Sequence, residues 1–191
     1  MLAPAVASGG DALTRLRDRR LQPQDLDAIV AELEAARRLT HPKFATSVIK
    51  ALGRHSRWPH ATWLLRTMCS DGIAEARGGA RGPDTIVYSA VISACEKGGS
   101  WDHALGLLAE MLQEGPEPDV ITFSAAISAC EKGQRWEHAL ALLAAARTRR
   151  LEPNAITCNA AISACEKGGK WELALSLLAE LSRIGRAPSL T

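Results

Sequence analysis

The chain has 191 residues, of which 47% are apolar but only 4% aromatic, and a net charge of +2. Ala and Leu dominate this composition, which favours helices over strands. No stretch approaches the roughly 18 uninterrupted apolar residues of a membrane span. The near-neutral charge excludes binding of a polyanion through bulk charge, so that any contact with nucleic acid has to be local.

The N-terminal part of the sequence carries no strong motif. Residues 1–10 are small and uncharged, and we expect them to be disordered. Residues 11–41 predict a degenerate helical pair that covers the end of the structure that follows. The Arg-rich start of this pair also fits a weak organellar transit segment, but Asp11 and Asp18 have the wrong sign for one.

A repeat organises the rest of the chain. The letters SACEKG occur three times, with Cys95, Cys130 and Cys165 spaced 35 residues apart, and a Trp follows each Cys after six residues. Periods of about 20–50 residues indicate a repeat architecture. We divide the chain into the repeats 85–119, 120–154 and 155–189. A degenerate repeat, 42–84, precedes them and carries a predicted loop insertion at 69–83.

Each repeat predicts two helices. The first runs through SACEK and ends at Gly98/Gly99, Gly133 or Gly168/Gly169, as glycines past helix ends do. The second begins at the Trp and carries the pattern ALxLLA. A Pro and a residue suited to capping the next helix then close the repeat. The predicted fold is all-α, an α-solenoid (right-handed superhelix) of helix-turn-helix repeats.

The cysteines of the repeats fit packing better than chemistry. Equivalent helices in a stack lie about 8–10 Å apart, whereas a disulfide needs Cα atoms within about 7 Å. We therefore expect Cys95, Cys130 and Cys165 to be small buried hydrophobes. No metal site or cofactor is predicted.

The first helix of each repeat has two different faces. At about 100° per residue, Tyr88, Val91, Ile92 and Cys95 share one side, which predicts the packing face. Ile86, Ser89, Ser93 and Lys97 share the opposite side, and both later repeats repeat this arrangement. This second stripe is either an ordinary solvated face or a ribbon of hydrogen-bonding groups for a single-stranded nucleic acid. The residues alone leave both interpretations open.

The repeats resemble pentatricopeptide repeats. The resemblance is carried by the 35-residue length, the openings TIVYS and VITFS, the ACEKG helix exit, the ALxLLA second helix and the closing EPD or EPN. It covers about residues 42–189. Tetratricopeptide repeats differ because they place their Trp in the first helix. The Trp residues here, Trp101, Trp136 and Trp171, are expected to pack between helices rather than stack on bases.

The resemblance implies binding of single-stranded RNA, with one base read by two residues of each repeat. The implied pairs are Thr46 with Asp84 and Ser89 with Asp119 for guanine, Ser124 with Asn154 for adenine, and Asn159 with Ser189 for cytosine or uracil. The implied base-sandwiching residues are Ile86, Ile121 and Ile156, and the implied phosphate contacts are Lys97, Lys132 and Lys167. The implied RNA track is 5′-G-G-A-C/U-3′.

No motif for catalysis stands out, and we expect no enzymatic activity. His103 and His138 follow the Trp in two repeats, but Leu173 stands at that place in the third. The leading hypothesis is a role in organellar RNA processing, stability or translation, in a chloroplast or mitochondrion, with cytoplasm or nucleus as alternatives. A protein-binding scaffold of tetratricopeptide-like use is the competing function. The uncapped C-terminal repeat further predicts protein partners or self-association.

Overall fold

A computed structural model describes the backbone of residues 14–15, 25, 28–31, 42–70 and 83–184. The fold over these residues is all-α and contains no strand. Its helices are α1 (Pro42–Arg54), α2 (Trp58–Ser70), α3 (Thr85–Lys97), α4 (Trp101–Gln113), α5 (Val120–Lys132), α6 (Trp136–Thr148), α7 (Ala155–Lys167) and α8 (Trp171–Ile184). The expected disordered residues 1–10, most of the helical pair at 11–41 and most of the loop insertion at 69–83 lie outside the described residues.

The chain forms two compact units, Met1–Gly98 and Gly99–Thr191. In the first unit, α1 packs against α2, and both pack against α3. Residues from all three helices build its apolar core, among them Ile49, Leu65 and Ile92. Ile29 and Val30, from the predicted degenerate pair, are also buried.

The second unit repeats one packing pattern. Helix α7 packs against α5 and α6, α5 also contacts α4 and α6, and α8 packs against α7. The core between two repeats contains Ile127, Leu143 and Ala161, with Leu177 and Leu181 packed against it. The helical hairpins therefore stack on one another within this unit, as a solenoid repeat requires.

Side-chain caps fix the start of each first helix. Asp84, Asp119 and Asn154 have extended backbones, and the side chain of each accepts a hydrogen bond from a backbone N–H three residues later. The donor–acceptor distances are 3.0, 2.8 and 2.9 Å. These residues satisfy N–H groups that a helix start leaves without an intrahelical partner.

The first residue after each first helix is a glycine, but it is not the residue that takes up the left-handed backbone. Gly98, Gly133 and Gly168 have φ near −80°, which any residue can adopt. The left-handed backbone falls one residue later, at Gly99, Gln134 and Gly169. In the second repeat this residue is a Gln, so glycine is not needed there for the helix to end.

The shared glycine is instead required by a close contact. A methyl group at Gly98 would overlap the indole of Trp58, at Gly133 that of Trp101, and at Gly168 that of Trp136. The Trp of one repeat thus lies directly against the backbone that ends the first helix of the next. The expectation that the Trp residues pack between helices is confirmed for Trp101 and Trp136, and Trp58 of the degenerate repeat packs in the same way.

The packing faces of the first helices are as predicted. Tyr88, Val91, Ile92 and Cys95 are all buried. Cys130 and Cys165 are also fully buried, and all five cysteines are free thiols. Within the described residues, no helix has the length and apolar character for crossing a membrane, and no cluster of three His, Cys, Asp or Glu is placed to hold a metal ion.

Candidate nucleic-acid interface

Three exposed isoleucines mark the face of the first helices opposite the core. The side chains of Ile86, Ile121 and Ile156 are 53%, 64% and 69% exposed. All three occupy the second position of their helix. Burial in the protein itself therefore does not explain why this position is apolar in each repeat. An exposed branched side chain there can contact the flat face of a base.

The polar positions that follow the isoleucines are accessible to different degrees. Thr46, Ser89 and Ser124 are half-buried, and Asn159 is exposed. The hydroxyl of Ser89 donates to the carbonyl of Ile86 at 3.2 Å. Ser189, the implied partner of Asn159, lies outside the described residues.

One implied pair is held together by a third residue. The hydroxyl of Ser124 is hydrogen-bonded to the hydroxyl of Thr157, in the first turn of the next first helix. Thr157 Oγ1 in turn donates to Asn154 Oδ1 at 2.9 Å. Ser124 and Asn154 are therefore joined through Thr157, although 30 residues separate them in the sequence. We call this set of three residues the hydroxyl relay.

The caps leave different groups available on Asn and Asp. Asn154 Oδ1 accepts from both the N–H and the hydroxyl of Thr157, so its side-chain NH₂ is not used by the cap. Asp119 Oδ1 likewise accepts from the N–H and the hydroxyl of Thr122, so the second carboxylate oxygen is not used. Asn154 can thus offer a donor and Asp119 an acceptor to a ligand.

The lysine at the end of α7 has an acidic partner in the preceding repeat. Lys167 Nζ lies 2.5 Å from Glu131 Oε1, which also accepts from the hydroxyl of Ser163 at 3.1 Å. The side chains of Lys167 and Glu131 are 43% and 20% exposed. A phosphate bound at Lys167 would either share the ammonium group with the Glu131 carboxylate or displace that carboxylate. Lys97 and Lys132 are exposed at the corresponding positions.

Cations lie over two of the packed Trp rings. The guanidinium of Arg135 is 4.4 Å from the ring centre of Trp101, and Lys170 Nζ is 5.1 Å from that of Trp136. Each of these two rings thus contacts a glycine backbone and a cation. These contacts favour packing over stacking of a base on Trp101 or Trp136. Trp171, by contrast, is 63% exposed. The glycine that packs on Trp101 or Trp136 comes from the following repeat.

Sequence reasoning missed two polar groups. The first is Thr122 and Thr157, which are buried but carry hydrogen-bonded hydroxyls; their position after an Asp or Asn cap was the available signal. The second is a Ser–Asp–His cluster at the start of α4. Ser100 Oγ donates to Asp102 Oδ1 at 2.9 Å and lies 3.0 Å from His103 Nδ1.

This Ser–Asp–His cluster does not have the geometry of a nucleophile and its base. His103 Nδ1 faces both Ser100 Oγ and Asp102 Oδ1, at 3.0 and 3.2 Å. A catalytic histidine bridges the two groups through different ring nitrogens. Hydrogen bonds, first from His103 and then from Ser100, lower the pKa of Asp102. The cluster stabilises the charged carboxylate in the first turn of a helix.

Known proteins confirm the repeat type. The PPR repeat family model matches residues 83–132, and the PPR repeat model matches residues 45–73 and 156–186, which together are more than half of the chain. By sequence, no curated protein matches this chain.

Solved structures that resemble this chain include those of a pentatricopeptide repeat protein. The crystal structure of the pentatricopeptide repeat protein PPR10 from maize matches 99% of the chain with 26% identity and a TM-score of 0.65. The same protein in complex with an 18-nt psaJ RNA element matches 96% with 20% identity and a TM-score of 0.61. The chain spans only 26% and 30% of the lengths of those two chains. The family models and the fold agree, and the chain belongs to the pentatricopeptide repeat family.

Proposed function

We propose that this protein binds single-stranded RNA with base selectivity, without enzymatic activity, and acts in organellar RNA processing, stability or translation. Each repeat contributes two polar residues to one base, and the RNA runs along the first helices. The proposal extends to a chloroplast or mitochondrion as the site of action. It is supported by the RNA complex of the similar PPR10 protein.

The observation that carries the proposal is the joining of Ser124 and Asn154 by the hydroxyl relay. Two residues that would act on the same base are brought to one place, beside the exposed Ile121. An ordinary solvated face needs neither the buried hydroxyl nor the exposed isoleucine.

The groups left available by the caps fit the implied bases. The NH₂ of Asn154 suits a base whose pairing edge offers a ring-nitrogen acceptor, which adenine and cytosine do. The second oxygen of Asp119 suits a ring N–H donor, which guanine and uracil offer. The order Asp84, Asp119, Asn154 thus agrees with the first three letters of the track 5′-G-G-A-C/U-3′. In this proposal the four letters are read in turn by Thr46, Ser89, Ser124 and Asn159, the last together with Ser189.

The test exchanges the specificity of one repeat. Ser124→Asn combined with Asn154→Asp keeps a capping oxygen and replaces the available donor by an acceptor. We expect the third letter to change from adenine to uracil, with a shift of about tenfold or more in relative affinity, because a well-placed pair of base contacts is worth about 1–3 kcal/mol. Fluorescence anisotropy with four RNA dodecamers that differ only at this letter measures the shift.

The same assay separates RNA binding from the protein-scaffold alternative. Single-stranded DNA and duplex RNA of equal length serve as controls, at two salt concentrations. A scaffold for peptides predicts no preference among these ligands. If selection from a random RNA pool gave the same motif for the wild type and the double variant, the base-reading assignment would be wrong.

A further inference from the structure

Thr157 occupies an unusual place for a hydroxyl group. Its side chain is 1% exposed, in the first turn of α7, and its oxygen contacts both Ser124 and Asn154. We propose that Thr157 is a positioning residue that sets the base selectivity of repeat 120–154 by fixing the protons of the two base-reading side chains. This inference rests on the proposed RNA-binding function and adds a third residue to the pair.

The direction of each hydrogen bond follows from the number of protons. Thr157 has one hydroxyl proton, which it donates to Asn154 Oδ1. The bond between Ser124 and Thr157 must therefore use the proton of Ser124. Ser124 consequently turns its lone pairs, rather than its proton, toward a ligand.

The relay thus presents one acceptor and one donor to a base. Ser124 offers an acceptor, and Asn154 offers the NH₂ that the cap does not use. Adenine has an amino donor beside a ring-nitrogen acceptor and matches both groups. Guanine has a carbonyl acceptor beside a ring N–H donor and mismatches both. Without the relay, the hydroxyl of Ser124 could rotate and donate to guanine as well.

The Thr157 hydroxyl is not needed to start the helix. Asp84 caps α3 through the N–H of Val87, at 3.0 Å, where no hydroxyl is present. The cap at Asn154 uses the equivalent N–H of Thr157 at 2.9 Å. The hydroxyl is therefore additional to the cap, and its hydrogen bonds serve the side chains of Ser124 and Asn154.

The chain offers matched positions for a test. Thr122 is fully buried and donates to Asp119 Oδ1 at 2.7 Å, so it is the equivalent residue one repeat earlier. Val87 is the equivalent residue without a hydroxyl. Thr157→Val removes the hydroxyl at nearly constant volume, and Thr157→Ser retains it.

The experiment measures the affinity of the full chain for 5′-G-G-N-C-3′ in RNA dodecamers, with each of the four bases at N. We expect Thr157→Val to reduce the preference for adenine over guanine by roughly tenfold, whereas Thr157→Ser keeps it. Thr122→Val should leave selection at the third letter unchanged, because the Thr122 hydroxyl donates to Asp119, the cap one repeat earlier. A merely structural role would weaken binding of all four RNAs equally and leave their ratios unchanged.

The outcomes separate this inference from the proposed function. Selective wild-type binding with an unchanged adenine-to-guanine ratio in Thr157→Val would overturn the role of Thr157 alone. If Thr157→Ser lost selectivity as Thr157→Val does, the hydroxyl would not be the cause, and the inference would also fail. Absence of any base preference in the wild type would overturn the proposed function and the inference with it.

Discussion

Two junctions between repeats show how different side chains can support the same packing. In the irregular junction, the degenerate repeat 42–84 contacts α3. In the regular junction, repeat 120–154 contacts α7. Both place a Trp against the glycine that follows the next first helix, Trp58 against Gly98 and Trp136 against Gly168.

The polar groups differ between the two junctions. Glu131 joins Lys167 and Ser163 in the regular junction, whereas Gly53 stands at the position of Glu131 in the degenerate repeat. A Cβ at Gly53 would lie 3.3 Å from Cβ of Ala94, so the helices approach closely there. The irregular junction uses Ser56, whose hydroxyl donates to the carbonyl of Lys97 at 3.2 Å.

Packing between repeats and the proposed recognition of bases therefore depend on different side chains. The Trp–Gly contact is present in both junctions. The relay and the Glu131 network occur where the repeats are regular and where we propose the stronger base contacts. The irregular junction therefore shows that the Trp–Gly contact forms without the Glu131 network.

The largest effect is expected when the shared contact is broken. Gly168→Ala and Gly98→Ala each put a methyl group into a Trp ring, although the backbone at both sites suits alanine. We expect each to reduce the free energy of unfolding by about 1–3 kcal/mol, the usual cost of overpacking. Urea denaturation measures the effect.

The matched control for these variants is Gly106→Ala. Gly106 lies within α4 and has open space around its Cα. Alanine there should stabilise the protein by about 0.5–1 kcal/mol, because glycine disfavours helix interiors. If Gly168→Ala behaved like Gly106→Ala, the Trp–Gly contact would not hold the repeats together.

The second prediction concerns the salt dependence of RNA binding. Replacing Lys97, Lys132 and Lys167 by Ala should flatten the slope of log affinity against log salt by about 2, since each phosphate contact to a single strand contributes about 0.7. Base preference should not change. Anisotropy titrations at several salt concentrations give the slope, and an unchanged slope would exclude the phosphate role.

Glu131→Gln sharpens this prediction because Glu131 is the partner of Lys167 in the regular junction. Without the carboxylate, Lys167 is available to phosphate, so that RNA binding should strengthen severalfold at low salt. Glu180→Gln is the matched control, since it removes a carboxylate 2.9 Å from Arg147 on the second helices. It should leave RNA affinity unchanged.

The smallest effect concerns the cysteines of the core. Leu52 occupies in the degenerate repeat the position of Cys95, and both are buried, which supports a packing role. Burial raises the pKa of Cys130 from 9.0 to about 11. The folded state then holds the thiol proton more tightly than the unfolded state, so this stabilisation is complete below pH 9 and is lost between pH 9 and about 11.

Chemical denaturation across this pH range tests the thiol. Cys130→Ala should make the loss of stability between pH 9 and 11 less steep than in the wild type. Cys69→Ala is the control for replacing a thiol on the surface, because Cys69 is exposed. Equal slopes in wild type and Cys130→Ala would contradict the burial effect.

The sequence by itself determined the repeat, its two helices and the faces of the first helix. A 35-residue period and a helical wheel suffice for this, because both describe local geometry along one chain. They placed Tyr88 and Val91 in the core and left Ile86 exposed, as the structure has them. The caps at Asp119 and Asn154 were equally local and equally predictable.

Only the tertiary structure decided what joins one repeat to the next. The role of Gly168 depends on a Trp 32 residues earlier, and that of Thr157 on a Ser 33 residues earlier. The pairing of Lys167 with Glu131 likewise depends on α5 and α7 lying side by side. Contacts between repeats are set by the distance and rotation of stacked helices, which a pattern of letters does not specify.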